Sequence, residues 1–291
     1  MTRLSENEPY KWPSPAKINL FLHIVGKRAD GYHDLQTIFQ LLDYGDELTF
    51  SLNQQGLICR DYDYGFSEQS DLCLRAANAL KEFAAPEHGV TIGLHKRLPQ
   101  GGGLGGGSSN AATVLIALNY LWELGLSQEK LSQIGLGLGA DVPVFVMGQS
   151  AWAEGVGERL SPLELDERWF LVVIPNICVS TAAVFANKHL TARPEMMKIR
   201  AFQEATQLHF GENQFEPIVR AEYPEVDTLF RWLEKFGEPR LSGSGGAVFM
   251  PLNNQSQGQD LLANKPSEVT GFVAKGLNCH PLYEWATLGG K

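Results

Sequence analysis

The stretch Pro99-Gln100-Gly101-Gly102-Gly103-Leu104-Gly105-Gly106-Gly107-Ser108-Ser109 decides how this chain is read. Before it, Val90, Ile92 and Leu94 alternate as in a strand. After it, Ala111, Leu115, Leu118 and Trp122 recur at helical spacing, with Ser108 or Ser109 placed as the cap and Gly125 as the stop. A glycine run that links a strand to a helix can turn successive backbone N–H groups inward. The helix N-terminus adds partial positive charge, so the loop suits phosphate oxygens. A plain hinge is the blander alternative, and it fits less well between two such regular neighbours. An ordinary P-loop needs a lysine after its last glycine, and here Ser108 follows Gly107. Gly101-x-Gly103-x-x-Gly106 matches a dinucleotide fingerprint formally. The second strand and its acidic end are missing, because a helix starts near Ser127 instead.

Working outward, Ala16, Ile18, Leu20, Leu22 and Ile24 share one face of an expected half-buried strand. Lys17, Asn19, Phe21 and His23 share the other. Gly26 to Gly31 reads as a charged turn, and Leu48, Phe50 and Leu52 as another strand. Ser70 can cap a helix carrying Leu72, Ala76, Leu80 and Phe83. Residues 169–174 form a short apolar strand, and 187–213 a polar stretch of helix and loop. Pro224 opens a helix that Gly237 closes. Gly243-Ser244-Gly245-Gly246 is a tight turn into a strand. Residues 253–260 read as loop and 270–275 as a last edge strand. No strict strand–helix–strand alternation appears, which favours an α+β chain.

The chain has 291 residues, 44% hydrophobic and 20% charged, which suits two folded domains. The expected boundary lies near 160, giving 1–160 and 161–291. A net charge of −9 makes a poor general binder of nucleic acid or anionic membrane. No apolar run approaches the roughly 18 residues of a membrane span. Glu6 and Glu8 stand where a signal peptide would be apolar, so the expectation is a cytoplasmic protein. Cys59, Cys73, Cys178 and Cys279 show no paired spacing and are expected to be small buried side chains. The histidines lack the spacing of a helical metal motif.

Taken singly, several residues have bland readings. Asp141 in Gly139-Ala140-Asp141-Val142-Pro143 can simply cap a helical turn. Lys17 can be a solvated strand lysine, and Tyr32 and His33 loop residues. The combination reads differently. Pro15-Ala16-Lys17-Ile18-Asn19-Leu20, the glycine loop, Gly139–Pro143 and Gly243–Gly246 occur in that order. Together they resemble the superfamily of galactokinase, homoserine kinase, mevalonate kinase and phosphomevalonate kinase. Gly26-Lys27-Arg28-Ala29-Asp30-Gly31-Tyr32-His33-Asp34-Leu35-Gln36-Thr37 narrows the likeness, with Leu42–Asp46 and Ala153–Glu158. These resemble the family of 4-diphosphocytidyl-2-C-methyl-D-erythritol kinases, from about Trp12 to Phe249.

The resemblance implies a two-domain small-molecule kinase fold: a ribosomal-protein-like N-terminal domain, a ferredoxin-like C-terminal domain and the active site between them. It implies transfer of the ATP γ-phosphate to the 2-hydroxyl of cytidylylated methylerythritol, in non-mevalonate isoprenoid synthesis, with Mg²⁺ as the cofactor. Asp141 would be the base and Lys17 the cation beside it and the developing alkoxide. Pro99 to Ser109 would wrap ATP, and Gly243, Ser244 and Gly245 would close the phosphate pocket. Ser108 or Ser109 would assist the metal, the choice being open. Asn19, Tyr32, His33, Thr181 and Phe185 would meet the substrate, the aromatic side chains at its cytosine end. Gln214 after Asn213 departs from the family's usual Asn-Asp. Two alternatives stay open: another alcohol kinase of the superfamily, of homoserine or mevalonate type, and a nucleotide-binding regulator without turnover.

Overall fold

The structure is a computed structural model that describes residues 10–65, 67–193, 195–204 and 211–283. The chain runs β1 (Trp12–Lys27), β2 (His33–Asn53), β3 (Ile58–Arg60), α1 (Leu72–Leu80), β4 (Gly89–His95) and α2 (Gly106–Leu121). It continues through α3 (Gln128–Leu136), α4 (Val142–Met147), β5 (Ala151–Gly155), β6 (Arg159–Pro162) and β7 (Trp169–Pro175). Then come α5 (Thr181–Phe185), α6 (Ile199–Glu204), α7 (Glu216–Glu222), α8 (Pro224–Leu233), β8 (Arg240–Leu241), β9 (Val248–Leu252), α9 (Gln255–Ala263) and β10 (Val269–Leu277). The fold is α+β, as expected.

One sheet runs β3-β4-β2-β10-β7-β9-β8, with β1 and then the β5–β6 hairpin also attached to β2. Almost all of its pairings are antiparallel; β3 with β4 is parallel. The expected edge strand at 270–275 is instead β10, in the middle of the sheet. It pairs with β7 along its length and with β2 through Gly276↔Leu42 and Leu277↔Leu41.

Three apolar clusters fill the layers. Leu41, Leu48 and Ile92 pack under α1, α2 and α4 with Leu74, Leu80, Leu115 and Phe145. Ile18, Phe21, Ile38, Trp152, Val172 and Phe249 form a second core. Leu171, Val173 and Met250 pack under α8 with Phe230 and Leu233. Strand β7 thus sends Phe170 and Val172 to one core and Leu171 and Val173 to the other. Burial on both faces explains its unbroken apolar run. Each such side chain contributes roughly 1.5–3 kcal/mol.

Strand β1 is buried on both faces rather than one. Its register shifts between Asn19 and Leu22, a bulge that puts Phe21 into the same core as Ala16, Ile18 and Leu20. Leu22 and Ile24 move to the third core. Simple alternation therefore fails at the bulge.

The helix expected to start near Ser127 does so: Ser127 caps α3, its side chain accepting from the Lys130 N–H. Ser70 does not cap α1: Asp71 does, accepting from Cys73 and Leu74 N–H. Neither Ser108 nor Ser109 caps α2, because Gly105 holds that place at φ 71° and both serines lie in the first turn. Of residues 253–260, expected as loop, those from Gln255 onward belong to α9 (Gln255–Ala263), with Asn254 as its cap. The polar amide caps and the Gln side chains hid a helix that rests on β10. In the polar stretch 187–213 the described helix is α6, and 205–210 lie outside the described residues, as do Glu6 and Glu8. Of the cysteines only Cys73 is buried; Cys59 and Cys178 are exposed and Cys279 is intermediate, all free.

Candidate active site

Gly101, Gly103 and Gly105 take φ of 73°, 76° and 71°, the left-handed region that residues with a Cβ resist. This alternation folds the loop into a cradle ahead of α2. A cavity of about 440 Å³ follows it, lined by Pro99 to Ser108 together with Leu72, Leu94 and Lys96. The loop docks on the Gly243 turn: Ala247 N–H donates to Gly102 O at 3.0 Å, and the Ser242 hydroxyl donates to Gly103 O at 3.1 Å. Gly245 sits so close that a Cβ there would lie 2.2 Å from Gly103 N. Gly243, at φ 60°, approaches the other side of the site, where a Cβ would lie 3.1 Å from Asn19 Oδ1 and 3.5 Å from Lys17 Nζ.

Lys17 and Asp141 come together. Nζ lies 3.2 Å from Asp141 Oδ2, and the lysine side chain is only 4% exposed against 32% for the aspartate. Lys17 N–H donates to Leu104 O at 3.0 Å, tying β1 to the glycine loop. Lys17 Nζ also donates to Asn19 Oδ1 at 2.6 Å and stands 5.2 Å from the centre of the Phe39 ring. Asp141 occupies the cap position of α4, yet its side chain makes no cap hydrogen bond. The bland reading as a capping residue therefore fails: the carboxylate is turned to Lys17. The solvated reading of Lys17 fails as well.

The two serines separate. Ser109 is fully buried, its hydroxyl 2.9 Å from Ser14 Oγ. Ser108 lines the cavity, and its Oγ would lie 3.5 Å from a Cβ on Gly139, beside the Asp141 turn. On the far side, Thr181 accepts from Ser244 Oγ at 3.1 Å, which links α5 to the Gly243 turn. Phe185 ends α5 with its ring 5.5 Å from His33 and 4.6 Å from Phe215. Burial, and then the nearby Lys27 charge, push the His33 pKa down. Tyr32 is 64% exposed and lines a separate shallow cleft with Gly139, Ala140 and Val156. In this structure His33, rather than Tyr32, is the ring paired with Phe185.

Comparison with known proteins fits this arrangement. Residues 71–149 match the GHMP kinases N terminal domain, and residues 195–264 match GHMP kinases C terminal. The 4-diphosphocytidyl-2-C-methyl-D-erythritol kinase of Marinobacter nauticus is 51% identical over 280 residues, 94% of this chain and 96% of that one. The kinase of the same name from Thiobacillus denitrificans is 49% identical over 275 residues, 94% of this chain and 98% of that one. The chain belongs to the 4-diphosphocytidyl-2-C-methyl-D-erythritol kinase family. It is a phosphotransferase of the GHMP type. A crystal structure of 4-(cytidine 5'-diphospho)-2C-methyl-D-erythritol kinase superposes with a TM-score of 0.80 at 32% identity, covering 92% of this chain and 99% of that one. Methanococcus jannaschii mevalonate kinase shares the two-domain fold, at a TM-score of 0.67 and 16% identity, over 94% of this chain and 100% of that one.

Within the family frame, three residues escaped the motif reading as individuals. Asp46 is fully buried and accepts from Lys96 Nζ at 2.5 Å, Arg97 N–H at 2.7 Å and Leu98 N–H at 2.8 Å, so it shapes the approach to the glycine loop. Its signal was present in Leu42–Asp46, where Gly45 is also forced, a Cβ there falling 2.0 Å from Ser14 O. Asn213 holds the second loop, donating from Nδ2 to Leu241 O at 2.9 Å and Gly243 O at 2.8 Å. Thr37 touches Asn19 from β2, with Asn19 Nδ2 donating to its Oγ1 at 2.8 Å. The departure at Gln214 has a structural use: its side chain accepts from Ile24 N–H and donates to Thr191 O at 3.2 Å. Of the basic residues near the motifs, Arg97 lies 4.2 Å from the centre of the Tyr44 ring and Arg28 pairs with Asp30, while Lys17 and Lys96 stand at the glycine loop and Lys27 acts on His33.

No helix among the described residues is long and apolar enough to cross a membrane.

Proposed function

We propose that this kinase moves the γ-phosphate of ATP to the 2-hydroxyl of 4-diphosphocytidyl-2-C-methyl-D-erythritol, in the cytoplasm, as a step of non-mevalonate isoprenoid synthesis. The observation that carries the reading is the Lys17–Asp141 contact of 3.2 Å at the mouth of the glycine cradle. A tertiary alcohol is crowded and weakly nucleophilic, so alignment and charge neutralisation dominate. Asp141 takes the hydroxyl proton while the oxygen–phosphorus bond forms and the bond to the β-phosphate bridge breaks, releasing ADP. Lys17 sits beside the developing alkoxide and the transferring group.

Pro99 to Ser109 bind the triphosphate, and Gly243, Ser244 and Gly245 close on it from the second half. No cluster of three or more His, Cys, Asp or Glu suited to a metal occurs among the described residues. A kinase Mg²⁺ fits that donor set, since it is held mainly by phosphates and water, with Ser108 the hydroxyl of the glycine loop that lines the cavity. Bound there, it would neutralise charge on the β- and γ-phosphates.

His33 and Phe185 receive the cytosine ring, Phe185 by stacking and His33 at the base edge. Tyr32, on its exposed turn, has its ring in the neighbouring cleft and would have to swing toward Phe185 to cover the same base. Thr181 and Asn19 contact the rest of the substrate; Asn19 has one side-chain N–H beyond the one given to Thr37. The division of the chain near 160 belongs to the same proposal. It is supported by the two family matches lying on either side of it.

The test is ADP release with Mg·ATP and three acceptors in parallel: the cytidylylated methylerythritol, mevalonate and homoserine. Turnover with the first alone supports the reading. Turnover with another keeps the Lys17–Asp141 chemistry and discards the cytosine site. ATP binding without turnover on any of them favours a non-catalytic protein.

A further inference from the structure

Thr37 stands behind the catalytic lysine with no route to substrate. It is fully buried on β2, and its hydroxyl has a single proton. That proton goes to Phe21 O, because a carbonyl cannot donate. The Thr37 oxygen must therefore accept from its second partner. The Asn19 group facing it, 2.8 Å away, must be the NH₂. The hydrogen-bond partners thus fix the orientation of the Asn19 amide. Its carbonyl oxygen is left facing Lys17 Nζ at 2.6 Å.

Lys17 has three N–H donors. One goes to Asn19 Oδ1 and one to Asp141 Oδ2. With two directions fixed, the third is fixed too. The β1 bulge between Asn19 and Leu22 is what brings the Phe21 carbonyl into reach of Thr37, opposite Leu22 in the register.

We infer that Thr37 is a positioning residue for the phosphoryl transfer: through the chain Phe21 O, Thr37, Asn19 and Lys17 it aims one lysine proton at the reacting oxygens. A reversed Asn19 amide would turn NH₂ toward an ammonium, repelling Lys17 from its place. The inference rests on Lys17 and Asp141 being the catalytic pair.

The experiment compares Thr37→Val, which keeps shape and loses the hydroxyl, with Thr37→Ser, which keeps the hydroxyl. Asp141→Asn is run alongside. The expected result for Thr37→Val is a kcat at least tenfold lower, with KM for ATP within twofold of the parent. Thr37→Ser is expected to recover kcat to within threefold. If the valine variant does not fold, Thr37→Cys, a weak donor and acceptor, must fall between serine and no activity. A valine variant with parental kcat overturns the inference, as does a serine variant no better than valine. If Asp141→Asn also keeps parental kcat, the catalytic pair itself is wrong; if only Thr37→Val does, the relay alone is wrong.

Discussion

Gly103 and Gly245 meet backbone to backbone, with a Cβ on Gly245 falling 2.2 Å from Gly103 N and 2.4 Å from Gly102 C. Neither neighbour is a side chain that can swing aside. Gly245→Ala must therefore push the two loops apart and widen the phosphate cradle. Overpacking of this kind costs about 1–3 kcal/mol, or several degrees of Tm for a chain this size. The expected outcome is a lower melting temperature and KM for ATP raised about tenfold. Gly137→Ala is the control, since a Cβ there meets only Ile134 O at 3.4 Å. Thermal melts and ATP titration of both variants check the contrast.

Asp141→Asn keeps the size of the side chain and removes the proposed proton acceptor. General-base catalysis is worth about 10²–10⁴ in rate. Turnover should fall by that range while ATP binding changes little, since Asp141 lies outside the loop that wraps the triphosphate. Steady-state kinetics with an equilibrium nucleotide titration separate the two effects.

Phe185→Ala removes the ring that stands 5.5 Å from His33. Stacking on a base is worth about 1–3 kcal/mol, so KM for the cytidylylated acceptor should rise roughly tenfold with KM for ATP unchanged. Burial and Lys27 push the His33 pKa below its usual value and so favour the neutral ring. Acceptor affinity should hold at neutral and higher pH and weaken on acidification, as the ring gains a proton. A His33→Ala variant should lose that acid-side dependence. Acceptor KM measured across pH checks both statements.

His280 is buried with Nδ1 accepting from Leu282 N–H at 3.2 Å, and burial lowers its pKa to about 3. Its folded pKa lies below the unfolded 6.5, so below pH 6.5 the unfolded chain binds a proton that the folded chain refuses. The stability is complete above pH 6.5 and is lost as pH falls from there toward 3, at roughly 1.4 kcal/mol per pH unit. His280→Asn, which can still accept from Leu282, should show a shallower loss. Urea unfolding at pH 7.5 and 5.5 for both chains makes the comparison.

The parts of the fold legible from sequence are those where a local rule acts alone. Ser127 caps α3, Pro224 opens α8 and the apolar run at 169–174 becomes β7 because each needs only near neighbours. Elsewhere tertiary context decides. Strand β10 looks like an edge from its own nine residues, and only pairing with β2 and β7 makes it central. The bulge at Phe21 depends on its partner strand. Helix α9 carries few apolar residues, so its periodicity is faint. The same division holds at the site. Lys17, Asp141 and the glycines lie in compact motifs. Asp46 and Thr37 lie at the ends of quoted motifs, but like Asn213 they act through side-chain bonds to distant segments, so their roles are not legible from spacing.

The position of β10 also bears on how the molecule comes into being. The strand that closes the seam between β2 and β7 is made after both of them. On the ribosome, the first half can gather its own strands and helices early. The sheet becomes continuous only when Val269 to Leu277 has emerged. A translational arrest just short of Val269 would leave both flanking strands finished and the join between them unmade.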